Sequence, residues 1–172
     1  MLKDSFSVSK KIYKHLRVKG KPLTIHTEMI VDDDVWEEIK KKVKNNEVHT
    51  WYLMTPLNYS LLKFMFNLNL SLEEFSAKMK IRYLWLKKNK QRLQLHVHLC
   101  KRMKNINYDE QKHLINKSVD WFENNLDQKV TEMVPGWWNS NSDTEQILKN
   151  LNIKLIKRFE YRDGHDYDWV SR

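Results

Sequence analysis

The feature that most constrains the fold is a regular alternation of short apolar strand patterns with longer segments of helical periodicity. Strand-like runs rich in β-branched and aromatic residues occupy residues 23–31, 47–54, 93–99, 129–134 and 153–156. Between them, apolar residues recur every three to four positions, as on the buried face of an amphipathic helix. The order β-α-β-α-β-α-β-α-β predicts an α/β domain, with a mostly parallel sheet or a distorted, partial (β/α) barrel and outer helices.

Capping residues indicate where three of the helices begin. Asp34 precedes a helical segment that has Glu37 three positions further on, and residues 71–74 and 142–145 have the Ser-x-x-Glu spacing of a capping box. Apolar periodicity adds helices over residues 59–66 and 109–126. We therefore expect each strand except the last to be followed by at least one helix.

Length and cysteine content limit the class of protein. A chain of 172 residues is long enough for one domain with a real hydrophobic core. The single cysteine, Cys100, excludes an internal disulfide and a cysteine-based zinc finger, and it fits a reducing compartment. No window approaches the roughly 18 apolar residues of a membrane helix, and the N-terminus lacks an apolar signal core. We therefore expect a cytoplasmic protein without a membrane span.

Positive charge is concentrated at the N-terminus. Seven basic residues against Asp4 place six of the nine net positive charges in the first 22 residues. We therefore divide the chain into a basic arm, residues 1–22, and a single α/β domain, residues 23–172. Such an arm can attract nucleic acid or another polyanion. We do not favour nucleic acid as the partner, because lysine- and asparagine-rich sequences also arise from genome composition.

Two histidines are the strongest candidates for a functional site. Strict alternation over residues 93–99 sends the leucines and Val97 to one face of a strand and His96 and His98 to the other. The two imidazoles then lie close enough to bind one divalent metal ion near the end of the strand. The alternative is a pair of hydrogen-bonded or half-exposed histidines without a ligand.

Acidic residues follow the first predicted strand. Three consecutive carboxylates, Asp32, Asp33 and Asp34, exceed what capping a helix requires, and a nearby cation would relieve their repulsion. One carboxylate could complete a metal site with the two histidines, and a second could act as a general base. In the preceding strand His26 and Glu28 share a face, either as an ion pair or as part of the site.

Aromatic and acidic groups also occur near two later turns. Pro135-Gly136 forces a turn, and Trp137 and Trp138 after it form either a core plug or a stacking platform for a substrate. Near the C-terminus, His165 and Asp168 lie among further aromatic and acidic residues. We include these residues among the site candidates.

In this order, the motifs resemble those of the polysaccharide deacetylase (NodB-type) family. The acidic motif that ends the first strand in that family corresponds to residues 31–34, or alternatively to residues 23–27. Its histidine motif corresponds to residues 95–98, and its Arg-x-Pro-Gly segment to residues 133–137. Two departures concern the spacing of the histidines, which is two here and four in the family, and Met133, which replaces the arginine.

The resemblance implies a NodB-like fold and a metal-dependent hydrolase that removes an N-acetyl group from a carbohydrate. It implies a divalent, zinc-like metal held by His96, His98 and Asp33. Asp32 would be the base toward the attacking water, and His165 the proton donor to the amine. Substrate-binding residues would then be Trp137, Trp138, His26, Glu28 and Asp168.

Two other functions stay open. One is a PHP or amidohydrolase-like metallohydrolase, although those families carry the His-x-His motif on the first strand. The other is a non-catalytic basic protein that binds nucleic acid or another polyanion through residues 1–22.

Overall fold

The computed structural model describes residues 24–43, 48–101 and 104–157. Five strands form one parallel sheet, namely β1 (Thr24–Thr27), β2 (Thr50–Leu53), β3 (Arg92–Val97), β6 (Glu132–Pro135) and β7 (Lys154–Leu155). Two further strands, β4 (Cys100–Lys101) and β5 (Lys104–Asn105), form an antiparallel ribbon. The helices are α1 (Asp33–Val43), α2 (Tyr59–Phe66), α3 (Leu72–Lys88), α4 (Tyr108–Leu126) and α5 (Ser142–Asn150).

The sheet has the strand order β1-β2-β3-β6-β7, and each neighbouring pair is parallel. One or two helices connect each strand of this sheet to the next along the chain. The predicted α/β class with a mostly parallel sheet is therefore confirmed. Because all five strands run in the same direction, their carboxyl ends meet at one edge of the sheet, where parallel α/β folds place their sites.

The hydrophobic core lies between the helices and one face of this sheet. Trp51, Leu53, Leu93 and Leu95 point to that face and are fully buried. Burial of each leucine contributes roughly 1.5–3 kcal/mol relative to an exposed position. The helices supply matching apolar faces, such as Phe75, Met79, Tyr83 and Leu86 of α3.

The opposite face of the sheet is also buried but has a different composition. Its apolar cluster consists of Tyr52, Val134 and Ile156, with Trp138 packed against it. The strand register places Gln94 beside Tyr52 and His96 beside Val134. The alternation in residues 93–99 therefore separates an apolar face under the helices from a face that carries imidazoles.

Two helix starts differ from the predicted positions. Helix α1 is capped by Asp32 rather than Asp34, because the Asp32 Oδ1 atom accepts the N–H groups of Asp34 at 2.9 Å and Val35 at 3.1 Å. Helix α5 is capped by Asn141, one residue before the predicted Ser142. The predicted box at Ser71 is confirmed, with reciprocal hydrogen bonds to Glu74.

Within the described ranges, no helix combines the length and the apolar character needed to cross a membrane.

The Asp32 cap gives a stability prediction. Replacement of Asp32 by alanine leaves the first N–H groups of α1 without their acceptor and is expected to lower the free energy of unfolding by about 1 kcal/mol. Urea denaturation followed by circular dichroism measures the change. Asp32→Asn is the control, because asparagine caps about as well as aspartate; an equal loss in both variants would show that the cap is not the cause.

Candidate metal centre

The predicted histidines lie at the carboxyl edge of the sheet. His96 is the penultimate residue of β3, and His98 follows the end of that strand. Glu28 follows β1, which ends at Thr27 and is shorter than predicted. The tight turn Gly136–Trp138 follows β6 on the other side of β3. Three strand ends therefore bring these residues to one place.

Glu28, His96 and His98 form a compact buried group. The Glu28 Oε1 atom lies 2.9 Å from His98 Nε2 and 3.9 Å from His96 Nε2. One ligand atom from each residue lies within 4.8 Å of the other two. The three residues are 9%, 2% and 2% exposed, respectively. In the part of the chain that the structure describes, no other three histidine, cysteine or acidic residues come together in this way.

A backbone contact fixes the orientation of the His96 ring. Its Nδ1 atom lies 3.1 Å from the carbonyl oxygen of Val134, the residue beside it in the sheet. Because a carbonyl only accepts hydrogen bonds, Nδ1 carries the proton and Nε2 keeps its lone pair. This is the arrangement that prepares an imidazole for a metal, with the second nitrogen held by a backbone acceptor.

Several atoms of the group lack hydrogen-bond partners. Among the described residues, Glu28 Oε2, His96 Nε2 and His98 Nδ1 are buried and make no hydrogen bond. Buried polar atoms of this kind cost free energy unless something satisfies them. The side chains of Glu28 and His96 already face each other, with Glu28 Oε1 3.9 Å from His96 Nε2. A cation between these two side chains would satisfy both Glu28 Oε2 and His96 Nε2.

The electrostatics also favour a cation. Burial alone would raise the pKa of Glu28, but the imidazoles of His96 and His98 outweigh it and lower that pKa to about 2. Burial lowers the pKa of His96, and burial together with the neighbouring His96 lowers the pKa of His26 to about 3. Near neutral pH the site thus holds an ionised carboxylate beside the neutral imidazoles of His26 and His96, and these are the forms that bind metals.

The donor set fits a divalent ion. Imidazole nitrogens and carboxylate oxygens bind zinc at about 2.0–2.2 Å, which sets neighbouring ligand atoms about 3–3.5 Å apart. The separations of 2.9 and 3.9 Å from Glu28 Oε1 bracket this range. Two histidines and one carboxylate are also a donor set that leaves positions for water and substrate.

The turn after β6 packs directly against the His98 ring. A Cβ atom on Gly136 would lie 2.3 Å from ring atoms of His98, so only glycine leaves room for the imidazole. The Trp137 indole meets the same ring edge-on, with the centroids 4.4 Å apart. Trp137 and Trp138 have φ angles of 52° and 58°, a left-handed conformation that is costly for large side chains. This backbone conformation places both indoles beside the imidazoles, Trp137 at His98 and Trp138 at His26.

His26 and Trp138 line the other side of the group. The His26 ring lies 5.3 Å from His96 and 6.5 Å from the Trp138 indole, measured between centroids. These two residues and Trp137 are substrate-binding candidates from the sequence. The structure brings all three to the imidazoles.

The two aspartates chosen from the sequence have other partners. The Asp32 carboxylate caps α1. The Asp33 side chain is 73% exposed and binds Lys78 at 2.8 Å and Arg82. These two cations lower the pKa of Asp33. Neither aspartate belongs to the group around the histidines, where Glu28 supplies the carboxylate instead.

The sequence did contain a signal for Glu28. His26 and Glu28 are two positions apart and therefore share one face of the strand pattern. Because β1 ends at Thr27, Glu28 is the first residue after the strand. His165 and Asp168 lie outside the described residues, so their roles stay predictions.

The fold is that of known carbohydrate esterases. A CE4 family pseudoenzyme from Bacillus anthracis superimposes with a TM-score of 0.57 at 16% identity, over 79% of this chain and 42% of that one. The family 4 carbohydrate esterase from Streptomyces lividans, in complex with acetate, gives 0.53 at 7%, over 78% and 60%. The Streptococcus pyogenes deacetylase PplD, in complex with acetate, gives 0.51 at 24%, over 78% and 53%.

These similarities confirm the predicted NodB-like resemblance at the level of the fold. The chain spans about half the length of these structures, between 42% and 60%. No family model matches the sequence, and neither does any curated protein.

The contact at Gly136 gives a second prediction. Gly136→Ala forces the His98 ring to move and is expected to destabilise the protein by about 1–3 kcal/mol, the usual cost of overpacking. Thermal unfolding measures the loss. Ser140→Ala in the same connection adds no atoms and serves as the control; if both variants unfold like the wild type, the ring does not pack against Gly136.

The low pKa of His26 gives a pH prediction. An unfolded chain binds a proton at this histidine below about pH 6.5, whereas the folded chain does so only near pH 3. The unfolded state therefore gains protons first, and stability falls as the pH drops through this window. At pH 5 the loss from His26 alone is about 2 kcal/mol relative to pH 8.

Urea unfolding at a series of pH values tests this expectation. His26→Asn should flatten the dependence of the free energy of unfolding on pH between 5 and 6.5, and His113→Asn, at an exposed position, serves as the control for a histidine substitution outside the site. An unchanged slope in His26→Asn would contradict the assignment.

Proposed function

We propose that this chain binds one divalent metal ion, with zinc as the first candidate, and hydrolyses the N-acetyl amide of a carbohydrate. The observation that carries the proposal is the buried carboxylate between two imidazoles at the carboxyl edge of a parallel sheet. The fold shared with carbohydrate esterases supports the substrate class. Zinc, the substrate and a cytoplasmic location are parts of the proposal.

Three side chains would hold the ion. His96 contributes Nε2, because Val134 occupies its Nδ1 atom. His98 contributes Nε2, which already faces the carboxylate, and Glu28 contributes a carboxylate oxygen. A bound divalent ion supplies Lewis acidity toward a carbonyl oxygen and acidifies water. Asp33 is not part of this ligand set, because its carboxylate is exposed and paired with two cations.

The aromatic residues would bind and shield the substrate. Trp137 and Trp138 present indole faces and edges beside the imidazoles, and indoles stack on the apolar faces of sugar rings. His26 places its imidazole at the same edge, beside the rings of His96 and Trp138. Exclusion of water by the indoles would strengthen every electrostatic interaction within the site.

A second function is metal binding without hydrolysis. Asp32, the base implied by the resemblance, is engaged as a helix cap. In the described residues, Glu28 is the acidic member of the group, and as a ligand it is not available as a base. One of the structural neighbours is itself called a pseudoenzyme. The fold thus accommodates both an active and an inactive centre.

Metal analysis combined with an activity assay tests the proposal. Purified protein should bind one zinc ion per chain and release acetate from N-acetylglucosamine oligomers, and a chelator should abolish the release. Loss of outer groups that orient ligands already weakens metal affinity by about 10–100-fold, so Glu28→Gln, His96→Ala and His98→Ala should each weaken it by more than about 100-fold.

Asp33→Asn is the matched control and should keep most of the wild-type zinc affinity, because its side-chain oxygen can still accept from Arg82. Zinc binding without acetate release would support the non-hydrolytic function. Protein that neither binds zinc nor gains thermal stability from it would refute both functions. A loss of affinity in Asp33→Asn equal to that in Glu28→Gln would restore the aspartate as the ligand.

A further inference from the structure

Arg82 is a buried charged residue for which the proposed function has no role. It lies on α3 and is 6% exposed. Its Nη1 atom donates to the carbonyl oxygens of Ile30 at 2.5 Å and Asp32 at 2.7 Å. Its Nη2 atom donates to the carboxylate of Asp33. One guanidinium thus holds three acceptors of a single short segment.

That segment is the turn that begins with Glu28. The turn is closed by the N–H of Asp32, which donates to the carbonyl of Met29 at 2.9 Å. It leads directly from β1 into α1. Because the Ile30 and Asp32 carbonyls point at Arg82, the backbone that carries Glu28 is held to α3 rather than only to its own strand.

The guanidinium itself is held in place. It lies over the Trp36 ring of α1, with Cζ 5.2 Å from the ring centroid. The planar fork of arginine can reach several acceptors at once, and a lysine ammonium cannot reproduce this geometry. The two backbone oxygens and the aspartate satisfy the buried charge, so its position is well defined.

Glu28 needs such support because its side chain reaches beyond its neighbouring strand. β2 lies between β1 and β3, yet the carboxylate contacts His98 at 2.9 Å. A small shift of the turn would move the carboxylate away from both imidazoles. His96 is fixed by Val134 and His98 by Gly136, so Glu28 is the member whose backbone depends on a residue of a helix.

We propose that Arg82 is the positioning residue of the metal centre, which holds the turn of Glu28 so that its carboxylate faces both imidazoles. This inference rests on the proposed function, since it assumes that Glu28 is a ligand. The proposal gives Asp33 a structural role, because its carboxylate pairs with Arg82. Arg82 in turn holds the turn that carries Glu28.

Metal titration of Arg82→Lys tests the inference. The variant keeps the charge but loses the fork, so cobalt or zinc affinity should fall by about 10–100-fold, as for other outer partners of metal ligands. The cobalt spectrum at saturation should regain the wild-type form, because the three ligands are all still present. If Arg82→Lys does not fold, Arg82→Gln, whose amide can still donate to one carbonyl, takes its place.

Two controls separate positioning from general stability. Lys78→Met removes the other partner of Asp33 and should leave metal affinity within about twofold of the wild type. Ile147→Ala, in the core contributed by α5, lowers stability far from β1 and should also preserve affinity.

The outcomes distinguish this inference from the proposed function. Wild-type protein that binds no metal refutes the proposed metal centre itself. If the wild type binds metal but the Arg82 variant keeps full affinity, the positioning role is overturned. An equal loss of affinity in Arg82→Lys and Ile147→Ala would also overturn it.

Discussion

The contact between Glu28 and His98 is the constraint on which the candidate site depends. These residues follow β1 and β3, which are separated by β2, so their strand axes are roughly 9–10 Å apart. A carboxylate can cross that distance only where the chain leaves the sheet and the intervening strand no longer blocks it. The parallel register places the ends of all three strands at the same edge and makes the 2.9 Å contact possible.

The surrounding contacts hold this arrangement from several sides. Val134 fixes the ring of His96 through its carbonyl oxygen, and Gly136 leaves the space that the His98 ring occupies. Trp137 packs edge-on against His98 from a left-handed backbone position. Strain of this kind persists where neighbouring packing enforces it. Each of the two imidazoles thus has one defined orientation.

Much of the fold and part of the site followed from the sequence. Strand and helix periodicity predicted the α/β class, and strict alternation around His96 and His98 predicted that both imidazoles leave the leucine face. These patterns are local, so a single sequence contains them. The turn at Pro135-Gly136 was equally visible from residue type, although its contact with His98 was not.

The carboxylate partner depended on contacts that no local pattern shows. The apolar run from residue 23 to 31 indicated one long strand, whereas β1 ends at Thr27 and leaves Glu28 at the edge. The resemblance suggests Asp33 as the carboxylate ligand, but the sequence does not show that this carboxylate pairs with Arg82 of α3. Long-range pairing of this kind decides which acidic residue faces the site and which faces solvent.

Glu28 is the proposed third ligand, beside His96 and His98, and this is the central point to test. A crystal structure of the zinc-loaded protein with anomalous scattering at the zinc edge tests it most directly. We expect one strong peak about 2.0–2.2 Å from ligand atoms of Glu28, His96 and His98. A peak at Asp33, or no peak between the imidazoles, would contradict it.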